Sequence, residues 1–177
     1  MTKIAEFKLN RYNSLLINLA ALLIFSIGCA LILPLTGKDQ WLIYIETALY
    51  NGQILALPAT LLGVIILHEL LHGVAYIIFG AKLKFGIKHL NIYTMDISGA
   101  LYTTSQMTVI LLLPLFILTG LLLISGIIFP EYIYWIVIGI LYNISGSFGD
   151  IFMLGYILFR GKSCKIKDEE YGFGLYS

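Results

Sequence analysis

Four long apolar runs, at residues 14–35, 54–81, 107–129 and 132–159, leave this chain few ways to fold. Each exceeds the about 20 apolar residues that cross the hydrocarbon core of a bilayer as a helix. A soluble domain would have to bury all four, yet only 12% of the 177 residues are charged. Ordinary soluble domains carry about 25%. The mean hydropathy of +0.92 points the same way. The expected fold is an all-α integral membrane protein, a single membrane-embedded domain over 1–177 with about four transmembrane helices. Pro58 falls in the opening turn of the second run, where proline is tolerated. Pro114 predicts a kink in the third, and the fourth is long enough to tilt.

Charge orients these spans. Lys3, Lys8 and Arg11 precede the first, Lys82, Lys84 and Lys88 follow the second, and Arg160, Lys162, Lys165 and Lys167 follow the fourth. With four spans, ten of the eleven basic residues share one side, and only Lys38 lies on the other. The excess of Lys and Arg on cytoplasmic loops then predicts a multi-pass protein of the cell membrane with both termini cytoplasmic. Trp41, Tyr44, Tyr50, Tyr132, Tyr134 and Trp135 are placed to form an aromatic belt at the outer interface. No nucleic-acid partner is expected; the surroundings are the lipid bilayer.

The loops differ in character. The outer loop, residues 36–53, has a short interfacial helix expected around 41–45. The cytoplasmic loop, 82–106, is rich in β-branched and aromatic residues. It reads as a β-hairpin over 85–104 between the second and third spans, with Asp96-Ile97-Ser98-Gly99 as its turn. The tail, 160–177, reads as polar and flexible at its end, and His89 as a solvated loop residue. Cys29 and Cys164 suggest neither a disulfide nor a Cys-x-x-Cys metal motif.

The second span carries His68-Glu69-Leu70-Leu71-His72 near its middle. Ionisable groups at that depth are expensive and call for partners. Two histidines four apart project from one helix face and can bind one zinc ion, with Glu69 next to it as a base. Catalytic zinc usually takes three protein ligands and keeps a fourth position open. Asp150 is the only acid inside another span. From the cytoplasmic ends of their spans, His72 lies about 13–14 Å deep and Asp150 about 15 Å at 1.5 Å per residue. The competing reading of Asp150 is a buried acid paired with a neighbouring helix, and Asp96 is the next candidate ligand. Gly139, Asn143, Gly146 and Asp150 share one face of the fourth span, where glycines allow close helix approach. Asn143 either contacts substrate or joins two helices. Gly73, beside His72, is read as a site of close packing.

His-Glu-Leu-Leu-His-Gly in one span, with Asn-x-x-Gly-x-x-x-Asp in a later one, resembles the site-2 protease clan of intramembrane metalloproteases. More closely, it resembles a bacterial family of small four-span zincin peptidases related to that clan. The likeness covers residues 55–159. The resemblance implies zinc held by His68, His72 and Asp150, with Glu69 as the catalytic base. The last motif departs from the better-studied site-2 proteases: they have Asp-Gly, and here Gly149 precedes Asp150 and Ile151 follows.

The expected activity is therefore that of a zinc-dependent intramembrane endopeptidase. It would act on membrane-protein or peptide substrates near the cytoplasmic side. A non-catalytic zinc-binding membrane regulator that holds a partner helix is the main alternative. A metal-ion transporter is a third, disfavoured because the first and third spans carry no acid.

Overall fold

The computed structural model describes residues 1–88, 91–160 and 164–177. A strand β1 (Lys3–Lys8) leads into helix α1 (Arg11–Thr36) and then α2 (Lys38–Tyr50). Helix α3 (Ala56–Ile78) is followed by β2 (Leu83–Lys88), β3 (Asn91–Asp96) and the short β4 (Leu101–Tyr102). Helices α4 (Thr104–Ile128), α5 (Ile133–Gly146) and α6 (Phe148–Arg160) come next, and strands β5 (Lys165–Glu169) and β6 (Gly172–Tyr176) close the order.

Among the described residues, four helical segments are long and apolar enough to cross a membrane: Arg11–Ile32, Gln53–Ile78, Thr104–Ile128 and Pro130–Arg160. This is the architecture of a multi-pass membrane protein. Their starts are written in the sequence. Asn10 caps α1 by accepting from the Asn13 N–H, and Thr103 and Gln106 form a reciprocal capping box on α4. Residues such as Leu15, Leu19, Leu22, Leu23 and Leu31 leave α1 clothed in exposed apolar side chains. Bare in water they would be a liability; against lipid they need no cover. The fourth span is two helices, broken at Ser147, whose hydroxyl donates to the Asn143 carbonyl.

The all-α expectation is corrected by two antiparallel sheets. One is four-stranded, in the order β1-β6-β5-β4, and the other is the β2–β3 pair. In the tail, expected to be flexible at its end, residues 165–176 form a β5–β6 hairpin. Residues opposite one another in an antiparallel pair share a face. Phe7 lies opposite Phe173, Ala5 and Ile166 opposite Leu175, and Tyr102 opposite Ile166. That face is apolar, and it packs with Tyr76, Ile110, Leu154 and Ile157 into one core at the ends of α3, α4 and α6. The sheet is thus a cap on one end of the bundle. Gly172 permits it: a Cβ there would sit 1.9 Å from the Phe7 carbonyl oxygen.

The 82–106 loop does contain a hairpin, but not with the expected turn. Leu83 pairs with Asp96 and Lys88 with Asn91, so residues 96–99 follow the open end of the pair and do not join its strands. Residues 96–99 instead lead out of β3 towards β4. There the Asp96 carboxylate accepts from the Lys82 and Ser98 N–H groups and from the Ser98 and Tyr102 hydroxyls. An Asp in this role satisfies the exit of a strand rather than the middle of a tight turn. The interfacial helix expected around 41–45 is the longer α2. His89 lies outside the described residues.

Candidate metal centre

Helix α3 brings His68 and His72 to one face, with ring centroids 4.9 Å apart. His68, Glu69 and His72 each offer a donor atom within 4.8 Å of the others, so this group can hold a metal ion. From α6, Asp150 reaches both rings. Its Oδ2 lies 3.1 Å from His68 Nε2 and its Oδ1 lies 3.4 Å from His72 Nε2. Depth along the spans foreshadows this meeting.

The rear of each imidazole is held as well. His68 Nδ1 lies 2.9 Å from Asn143 Oδ1. The Asn143 amide nitrogen donates to the Pro114 and Leu115 carbonyls and to Thr119 Oγ1. Those acceptors fix the amide's direction, so Nδ1 of His68 is the donor to Oδ1. Asn143 is 1% exposed, and both ends of its amide are engaged. It joins α5 to α4 and holds the back of His68. His72 Nδ1 lies 2.8 Å from the Ile110 carbonyl of α4. With both Nδ1 atoms committed to α4 and α5, the two Nε2 atoms face one shared space.

That geometry suits zinc. Tetrahedral bonds of about 2.0–2.1 Å set neighbouring ligand atoms about 3.3 Å apart. The two imidazole-to-carboxylate distances, 3.1 and 3.4 Å, bracket this spacing. Second partners that orient ligating histidines are a general property of such sites. The donor set of two imidazoles and a carboxylate is also one that zinc accepts.

Glu69, beside the two histidines, is also held from the hairpin. Thr94 Oγ1 on β3 lies 2.9 Å from Glu69 Oε2 and 3.0 Å from the Glu69 carbonyl. Pairing places Thr94 opposite Phe85 and Asp96 opposite Leu83, so these four share a face of the hairpin. That face lies against α3. A Cβ on Gly73 would be 3.1 Å from Leu83 Cδ1 and 3.3 Å from Phe85 Cζ. The close packing read at Gly73 is therefore with the hairpin, not with another span. Thr94 and the Ile110 carbonyl were not singled out in the sequence. Only the fold brings a strand hydroxyl and a backbone oxygen to this cluster.

Among known proteins, no curated protein and no solved structure matches the chain. A family model described as “Putative zincin peptidase” matches residues 61–165, more than half of the chain, including both histidines, Glu69 and Asp150. By that match over the span that carries the His-Glu-His cluster, the chain belongs to the putative zincin peptidase family.

Proposed function

We propose that the protein is a zinc-dependent endopeptidase of the site-2-protease type, cutting membrane-protein substrates near the cytoplasmic side of the bilayer. The observation that carries this reading is the Asp150 carboxylate set 3.1 and 3.4 Å from the two imidazole Nε2 atoms, with Glu69 next to His68 on the same helix. His68, His72 and Asp150 are the ligands and Glu69 is the base. Zinc, when bound, supplies a Lewis acid that polarises the scissile carbonyl and eases deprotonation of water. Glu69 accepts a proton from the attacking water and delivers it to the departing amine nitrogen. Thr94 holds that carboxylate in place meanwhile. The β2 strand has an outward edge that can take an extended substrate by strand addition. The basic residues at both termini and in the hairpin support a cytoplasmic location for this edge.

Metal content and cleavage of a membrane-anchored reporter, measured on purified protein, test the reading together. Wild type should hold one zinc per chain, and His72→Ala and Asp150→Ala should lose it. Glu69→Gln should keep zinc while cleavage falls by about 10²–10⁴-fold, the usual worth of a general base. Zinc retained without Asp150 would remove it from the ligand set. Full cleavage by Glu69→Gln would end the proposed mechanism, and zinc binding without any cleavage in wild type would favour a zinc-binding regulator.

A further inference from the structure

Helix α4 gives no side chain to the cluster, yet it touches the back of His72. Pro114 lies inside α4 and is buried. A proline has no N–H, so the carbonyl four residues earlier loses the donor that would close its helical turn. That carbonyl belongs to Ile110, and it lies 2.8 Å from His72 Nδ1. A carbonyl only accepts, so Nδ1 carries the proton in this bond. Ile110 is fully buried and His72 is 7% exposed, so water is a poor substitute for either partner. An unpaired carbonyl in α4 and an unpaired imidazole N–H in α3 would each cost stability, and each satisfies the other.

We propose that Pro114 is a positioning residue of the metal centre: by withholding an N–H from the Ile110 carbonyl, it reserves that carbonyl for His72 and turns the Nε2 lone pair towards the metal. The inference rests on the metal-centre reading above but not on cleavage. An N–H restored at position 114 would compete for the same oxygen. His72 would then lose its fixed orientation while the metal ligands stayed chemically intact.

The experiment is nuclear magnetic resonance on protein carrying 15N-labelled histidine, with and without zinc. The chain has three histidines, so the ring nitrogens can be assigned by substitution. In wild type, the His72 Nδ1–H proton should resonate far downfield and exchange slowly with water in both states, with zinc on Nε2. In Pro114→Ala, the same proton should move upfield and exchange faster. Zinc affinity, measured by chelator competition, should fall by about 10- to 100-fold, as when other partners of ligating histidines are removed. A merely structural proline would leave the Nδ1–H signal unmoved. An unchanged signal in Pro114→Ala overturns the proposal, even if affinity drops. Should that variant not fold, the wild-type spectrum decides alone: an unprotonated or fast-exchanging Nδ1 on His72 overturns it. Loss of cleavage plays no part in either outcome, so failure of the peptidase reading remains distinguishable.

Discussion

Thr94 shows how much of a site can rest on one hydroxyl. Its proton is shared between the Glu69 carboxyl and the Glu69 backbone carbonyl, 2.9 and 3.0 Å away. Glu69 would otherwise be a long side chain with three free torsions beside the cluster. Thr94→Val keeps the shape and deletes the hydroxyl, removing one hydrogen bond to a carboxylate, worth about 1.5–3 kcal/mol. Cleavage should slow by about 10- to 100-fold with zinc content unchanged, and Thr94→Ser should restore most of the rate. Equal rates for Thr94→Val and wild type would show that Glu69 needs no such anchor. The sequence exposed the two histidines, Glu69 and Asp150, because helix spacing is local and depth along a span is simple arithmetic. It hid Thr94 and the Ile110 carbonyl. A strand's register against a helix is set by tertiary packing, and a backbone oxygen has no letter of its own.

The same division holds for the elements. The spans were legible because length and apolarity alone define a membrane helix. The four-stranded sheet was not, since its strands run from two to six residues and come from three separate stretches of chain. In the tail, Ile166, Phe173 and Leu175 are the inward residues, and the charges between them made the segment read as a polar end. The β2–β3 hairpin was legible as a hairpin, but its seat on α3 was not. That seat is narrow: a Cβ at Gly73 already falls 3.1 Å from Leu83. Gly73→Val should therefore push the hairpin off α3, at a cost of about 1–3 kcal/mol as for other overpacked contacts. A lower melting temperature and faster proteolytic nicking near β2 are the expected readouts. Unaltered melting and nicking would mean the hairpin shifts to accept the methyls and does not depend on this contact.

Across the whole molecule, hairpin, sheet and bundle meet at Asp168. It lies opposite Phe173 on β6, so it shares the apolar inner face of the sheet. There its Oδ2 accepts from the Asp96 N–H at 2.7 Å, and Tyr76 of α3 adds a hydroxyl bond. Burial pushes its carboxyl up to about 7 from the ordinary 3.8, and the nearby Asp96 carboxylate adds to the rise; the Asp96 N–H and the Tyr76 hydroxyl act against it. Asp96 itself behaves oppositely. Burial works to raise it, but the Ser98, Tyr102 and Lys82 donors outweigh burial and hold it below the ordinary range. The sign of the Asp168 effect follows from proton counting. Between the unfolded value of 3.8 and the folded value of about 7, the folded protein binds one more proton than the unfolded chain. Its contribution to stability is then full below the lower value and is lost as pH rises through the upper one. Partial exposure reduces the full linkage value, leaving about 1–2 kcal/mol. Amide exchange in β5 and β6 should accordingly quicken between pH 5 and pH 8, beyond the intrinsic change in exchange chemistry. Asp168→Asn keeps an acceptor for the Asp96 N–H but cannot ionise, so its protection should be flat over that range and higher than wild type at pH 8. A variant as pH-sensitive as wild type would place the titrating group elsewhere and leave Asp168 a neutral strut between hairpin and sheet.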